Sequence, residues 1–397
     1  MKDKALPEGW NKINITKVFT QISTTGKNIS TKDCLSVGKY PVIDQGAEYI
    51  SGYFNDETKV IPVENKVIVF GDHTRNFKLI DFDFIVGADG VKIFQPAKDI
   101  DPDFFYYQCL SLNLPNKGYH RHFRYLKECD FIYPSFSQQQ KLAKKFTALL
   151  SQVAEIKQRL DKIPALLKTY RQSVLARAVN GELSAKWREE NGVSLDSWNK
   201  AKINNLGSIF SGKTPSKKNP SYWENGTVYW VSAKDMKFDE ITFSSDLITE
   251  KAVNETKLKI CPTDTILMVM RSGIIAHTFP VALTKVEVTI NQDLKALRPK
   301  KDFVQPKFIF YLLKGNEQKI LEKCSKAGTT VASIEMPEFE KFVFDIPSLE
   351  EQNYITQAVE KHLNFANQLE AQVNAALERV NLMTQAILAK GFRGELL

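Results

Sequence analysis

Five cysteines, Cys34, Cys109, Cys129, Cys261 and Cys324, are scattered through the sequence, and none forms a Cys-x-x-Cys pair. An odd, dispersed set excludes a disulfide framework and a zinc ribbon, and it predicts a reducing compartment, the cytoplasm. Histidine is also scarce, and "HRH" (120–122) has no Cys or His cluster elsewhere to complete a metal site, so no metal is expected. Apolar runs such as "TILMVM" (265–270) are far too short to cross a bilayer. The opening "MKDKALPEGW" lacks the apolar centre of a signal peptide, and no membrane partner is expected. No nucleophile, base and oxyanion donor assemble from the sequence, so no catalytic residue is assigned.

What is present is ample apolar and charged material. The 397 residues are 43% hydrophobic and 25% charged, with a net charge of +8. Such a chain can bury ordinary cores in about two domains, and its charge favours a polyanionic partner.

"GSIFSGKT" (207–214) fits the phosphate-loop pattern G-x-x-x-x-G-K-[ST]. A working loop follows a buried strand and opens a helix whose N-terminus faces the phosphate. Here "NKAKINNL" upstream is too polar for a central strand, and although Pro215 could sit in a first helical turn, Pro220 and the Asn219-Pro220 pair stop a helix downstream. The stretch reads instead as an exposed basic turn. An ATPase remains a minor alternative.

The organising feature is a repeat. "PSFSQQQKL" begins a stretch at Pro134 that ends "QSVLARAVNGEL", and "PSLEEQNYI" begins another at Pro347 that ends "QAILAKGFRGEL". One shift without gaps places Pro134 on Pro347, Gln139 on Gln352, and Gly181-Glu182-Leu183 on Gly394-Glu395-Leu396. In the first copy apolar residues step by four and three through Leu142, Phe146, Leu149, Val153, Ile156, Leu160, Ile163 and Leu167, then Tyr170 and Val174. The second copy runs through Ile355, Val359, His362, Ala366, Leu369, Val373, Ala376, Val380, Met383 and Ile387. These are the seams of two long helices that pair as a coiled coil. Each begins at a Pro-Ser cap, and about forty residues at 1.5 Å make a rod of roughly 60 Å. Pro164 lies inside the first seam and predicts a kink. His362 reads as a polar interruption that fixes register.

"GWNKINI" (9–15) matches "SWNKAKI" (197–203), so the segments before the helices correspond as well. The expected organisation is a globule over 1–133, a helix over 134–182, a linker over 183–196, a second globule over 197–346 and a second helix over 347–397. The globules mix short β-like runs with shorter helical stretches, which gives a mixed α/β (α+β) fold class with two globules alternating with two long antiparallel helices.

Two kinds of basic loop recur. "GDHTRNFK" (71–78) follows "VIVF" and offers His73, Thr74, Arg75 and Asn76, whereas "MRSGIIAH" (270–277) follows "TILMV" and offers Arg271, Ser272 and His277. A second loop precedes each long helix, with Lys117, His120, Arg121, His122 and Arg124 in one and Lys326, Thr329 and Thr330 in the other. The turn at 212–218 adds Lys213, Thr214, Lys217 and Lys218. Arg and Asn read base edges, while Lys, Ser and Thr more often hold phosphates. Any one such loop could be a solvated turn; their repetition points to duplex DNA.

With these stretches, "LPEGW", "SGKTPSK", "GADGVKIF" and the helix endings "QSVLARAVNGELSAKWREENG" and "ALERVNLMTQAILAKGFRGEL", the chain resembles the specificity subunits of type I restriction-modification enzymes. The resemblance implies two target-recognition domains, each reading half of a split DNA sequence, with the helices as a ruler between them in a pseudo-twofold layout. It implies two modification (methyltransferase) subunits that carry S-adenosylmethionine and flip the target adenine, and restriction subunits that use ATP and Mg. This chain would bind no cofactor and do no chemistry, although the complex would be an adenine-N6 methyltransferase and ATP-dependent endonuclease. The first repeat continues into "SAKWREENG" whereas the second stops at Leu397, a departure from the family pattern that leaves the strength of assembly with the modification subunits open. A coiled-coil scaffold for proteins, without DNA specificity, is the alternative reading.

Overall fold

The computed structural model describes residues 6–87, 89–326 and 331–397. By contact the chain divides into one unit of Met1–Lys162 with Val373–Leu397 and a second of Ile163–Gln372.

In the first unit the core sheet contains β1 (Phe19–Ile22), β2 (Val67–Gly71), β3 (Phe77–Ile80) and β4 (Val91–Pro96) in the order β1-β4-β2-β3, all antiparallel. In β2 all five residues are buried, as "VIVFG" suggests for a central strand covered on both faces. The helix Pro102–Ser111 packs against it, starting with Pro at its first turn and the Asp101 carboxylate accepting from Phe104 N. A second sheet holds Tyr40–Ile43, which pairs parallel with Phe84–Gly87 and antiparallel with Gly52–Phe54.

The second unit repeats this plan. Its sheet contains β5 (Gly207–Ser211), β6 (Ile266–Val269), β7 (Val281–Thr284) and β8 (Leu294–Pro299) in the order β5-β8-β6-β7, with Glu240–Ile241 added parallel to β7. The helix Pro306–Gly315 corresponds to Pro102–Ser111. Val228–Val231 pairs parallel with Thr289–Ile290 and antiparallel with Asp246–Ile248. In both units the first strand of the globule pairs antiparallel with its last, Asn11 opposite Tyr133 and Asn199 opposite Ile346.

The two long helices are Phe136–Val179, 44 residues, and Leu349–Gly391, 43 residues. Ser348 caps the second one, its hydroxyl accepting from Glu351 N at 3.2 Å. Pro164 falls inside the first helix, which continues past it as one element. In the first unit the beginning of the first long helix meets the end of the second. A side chain at Gly391 would strike the Phe146 ring, the Phe392 ring packs tilted against that ring with centroids 5.2 Å apart, and Lys145 Nζ donates to Leu396 O at 2.6 Å. In the second unit the end of the first meets the beginning of the second. The Tyr170 hydroxyl lies 2.6 Å from His362 Nδ1, and Arg171 donates to Asn367 Oδ1 and Glu370 Oε2 at 2.8 and 2.7 Å. Beginning meets end in both units, so the helices run antiparallel.

Along the seam Leu142, Phe146, Val153, Leu167, Ile355, Val359, Val373 and Val380 are buried, and Leu149, Leu160, Ile163, Leu369 and Ile387 are half-buried. Ile156 and Met383 are exposed, at 43% and 42%, and so do not fill a helix interface as the spacing suggested. Near the end of the second helix burial moves off the four-three step to Leu388 and Phe392, because that end packs into the core of the first globule. The stretch 183–196, expected as a linker, contains the helix Ala185–Asn191, which ends on Gly192 at φ 65°. It is held rather than loose, because Arg188 is buried in an ion pair with Glu351, N–O 2.7 Å.

Candidate nucleic-acid interface

In each globule the loop after the central strand meets the loop before its neighbour and the loop leading to the long helix. In the first, Asp72 N donates to Gly90 O, and Asp72 O accepts from His122 N, both at 2.7 Å. The Asp72 carboxylate also accepts from Phe123 N at 2.7 Å. In the second, Met270 N donates to Asp293 O at 2.8 Å, and Met270 O accepts from Ile334 N at 2.8 Å. Three segments distant in sequence thus form one patch at the same edge of each sheet.

Gln45, not singled out in the sequence, is the centre of the first patch. Its backbone carbonyl accepts from the Thr74 hydroxyl and from Asn76 Nδ2, its side-chain oxygen accepts from His73 N at 3.2 Å, and its amide donates to Asp89 O at 3.2 Å. Thr74 and Asn76 therefore shape the loop with the groups expected to reach DNA. Arg75 has φ 66°, the left-handed region that residues other than glycine adopt uncommonly, and its guanidinium donates to Leu114 O at 3.3 Å. The His73 ring stacks on Tyr119, 4.3 Å between centroids and 6° between planes, and Tyr119 is 82% exposed. Lys117, His120, Arg121 and Arg124 are exposed. His122 is not: it is fully buried, with Nδ1 3.0 Å from Asp72 O and Nε2 accepting from Lys117 N. Its place beside Arg121 in "HRH" suggested a surface role, but the ring instead fastens two loops together.

Beside these loops lies a cavity of about 520 Å³ lined by Lys92, His120, Arg121, Phe123, Arg124 and Lys127, with Asp72 at its wall. Lys92 and Lys127 place their ammonium groups 5.9 and 4.8 Å from the Phe123 ring centre. Neither lysine was singled out in the sequence. For Lys92 the signal was there, since in "VKIFQP" it alternates with buried neighbours and points off the core.

In the second patch the basic turn is held by two indoles. Trp230 Nε1 donates to Lys213 O at 3.1 Å, and Trp223 Nε1 donates to Ser216 O at 3.2 Å. Lys217 sits 6.0 Å over the Trp223 ring, Lys218 is exposed, and the Thr214 hydroxyl bonds Gln292. Gln292 adjoins Asp293, whose carbonyl holds Arg271 N, so the turn joins the three loops. Arg271 and His277 are exposed, while Ser272 caps the short helix Gly273–Ala276 through Ile274 N. Lys326 is exposed in the ribbon of Ser325–Lys326 with Ser333–Ile334. Thr329 and Thr330 lie outside the described residues.

The phosphate-loop pattern has no cradle here. Residues 207–211 are strand β5, no α-helix opens after Thr214, and Lys213 spends its backbone N–H on Ile290 O and its ammonium on Thr256 O. Gly212 is required for a different reason, because a Cβ there would lie 1.8 Å from Ile290 O. Neither the parent nor Lys213→Ala should take up a fluorescent ATP analogue in a titration. Saturable uptake abolished by the substitution would restore the ATPase reading.

Among the described residues no group of three or more His, Cys, Asp or Glu is placed to hold a metal ion, and no helix is long and apolar enough to cross a membrane. The family model for the type I restriction modification DNA specificity domain matches residues 7–165 and 196–379, covering both globules and most of both long helices. The chain belongs to that family. It is similar to the type I restriction enzyme EcoR124I/EcoR124II specificity subunit of Escherichia coli, 29% identical over 357 residues, 86% of this chain and 83% of that protein. It is also 28% identical to the Escherichia coli EcoDI specificity subunit over 289 residues, 66% of this chain and 61% of that protein. Two solved structures share the fold of this specificity-domain chain. One, from work on complex assembly and conformational transition of the type I R-M system, has a TM-score of 0.71 at 17% identity, covering 99% of this chain and 100% of its own. The other, the HsdS subunit from Thermoanaerobacter tengcongensis, has a TM-score of 0.59 at 16% identity, covering 99% of each chain.

Proposed function

We propose that the chain is the DNA-reading specificity subunit of a type I restriction-modification complex. Each globule reads one half of a split duplex target, and the paired helices fix the gap and carry two modification subunits, which restriction subunits join. The observation that carries this reading is the repeated patch, three loops locked together at the same edge of two sheets of the same strand order, each studded with exposed cations. Chemistry falls to the partners: the modification subunits would hold S-adenosylmethionine, and the restriction subunits ATP and Mg. The workplace is wherever the genome lies, the cytoplasm of a bacterial or archaeal cell.

In this reading Arg121 and Arg124 hold phosphates and Arg271 reads a base. For the complex with modification subunits, replacing Arg121 and Arg124 by alanine should weaken binding to any duplex and lower the slope of log affinity against log salt by about 1 per lost phosphate contact. Arg271→Ala should instead relax the choice of base at one position, by about 1–3 kcal/mol of discrimination. Fluorescence anisotropy across a salt series checks both. Affinity that ignores salt and shows no preference for a split sequence would favour a protein scaffold.

A further inference from the structure

The repeated glutamine of "PSFSQQ" and "PSLEEQ" has no exposed surface with which to touch DNA or a partner. Gln139 is 1% exposed and Gln352 0%. In the first unit, Gln139 Oε1 accepts from Asp101 N at 2.9 Å, and Nε2 donates to Asp99 O at 3.2 Å and Pro134 O at 3.1 Å. In the second, Gln352 Oε1 accepts from Gln305 N at 2.8 Å, and Nε2 donates to Phe303 O at 3.1 Å and Pro347 O at 2.9 Å. Both amide hydrogens are used, and the carbonyl oxygen is engaged, in each copy.

What the amide joins is the same in both units. Asp101 and Gln305 precede Pro102 and Pro306, the first residues of the globule's own helix. Pro134 and Pro347 form the turn into the long helix. A single buried side chain therefore pins the start of the globule's helix, the segment before it and the root of the long helix. Every partner is a backbone group, so the contact makes no demand on the globule's sequence. The residues gripped differ, Asp99 and Asp101 in one unit and Phe303 and Gln305 in the other, yet the three bonds recur.

We propose that Gln139 and Gln352 are positioning residues: each fixes the angle of its recognition globule on its long helix and thereby sharpens discrimination between gap lengths. This rests on the DNA-reading function proposed above. A globule free to rock would still recognise its half-site, but it would meet targets whose second half lies one base pair nearer or farther. The advantage of a tethered second contact depends on its reach being narrow.

The test uses the complex with modification subunits and a duplex library in which both half-sites are kept and the gap varies. Methylation from S-adenosylmethionine gives the preference for the parental gap over gaps one base pair different. Gln139→Met and Gln352→Met, which keep side-chain volume and lose the amide, should retain both half-sites while that preference falls about tenfold, the equivalent of about one mismatched base pair. Gln→Asn, which keeps the amide on a side chain one methylene shorter, should give an intermediate preference, and it serves where a Met variant fails to fold. Variants with a lowered melting temperature and the parental gap preference would overturn the proposal, leaving the amides merely structural. If the parent complex methylates no split target, the DNA-reading function falls and this inference falls with it.

Discussion

Glu351→Ala should lower the melting temperature of the second unit by roughly 6–20 °C, from a loss of about 3–5 kcal/mol at about 2–4 °C per kcal/mol. The carboxylate is fully buried at the start of the second long helix. It accepts from Arg188 at 2.7 Å, the Ser184 hydroxyl at 2.7 Å and Trp198 Nε1 at 2.9 Å, while Arg188 also donates to Gly181 O at 2.8 Å. One side chain thus ties together the segment after the first long helix, the opening of the second globule and the root of the second long helix. Removing it leaves a guanidinium buried without counter-charge and an indole N–H without an acceptor. Arg188→Leu with Glu351→Leu should cost less than Glu351→Ala alone, because no orphaned charge remains. Thermal unfolding followed by circular dichroism measures both, and an unchanged profile for Glu351→Ala would show that the pair contributes nothing net.

A heptad inserted in phase into each long helix, within 140–163 and within 369–387, should abolish methylation of the parental target. Any target still recognised should keep both half-sites and have a gap longer by about three base pairs, since seven residues add about 10 Å and DNA rises about 3.4 Å per pair. Each long helix begins in one unit and ends in the other, so its length enters the separation of the two readers. Sequencing of methylated adenines in a host carrying the lengthened gene provides the readout. A methylome that retains the old gap would remove the helices from the role of ruler.

The sequence carried the repeat, the roots of both helices and the basic loops, because each is written in local spacing. Val153 and Leu167 followed from a four-three step, and "VIVF" announced a buried strand before the loop at 72–76. What it hid is what distant segments decide. His122 reads as one basic residue among three until the Asp72 carbonyl closes on it. Ile156 and Met383 satisfy the heptad, yet both are exposed, because spacing alone does not say which stretches of a seam are covered. Leu388 and Phe392 break the heptad because the first globule, far away in sequence, supplies the surface that covers them. Gln45, Lys92 and Lys127 join the site only through the sheet topology.

Each globule is closed by a ribbon of its own first and last strands, Asn11 against Tyr133 and Asn199 against Ile346. The chain therefore enters and leaves a globule about one strand spacing apart, near 4.8 Å. To the helical frame a globule is an insertion at nearly a single point. Recombination within the codons for that ribbon could exchange one reader for another and change what is recognised while the frame stays as it was.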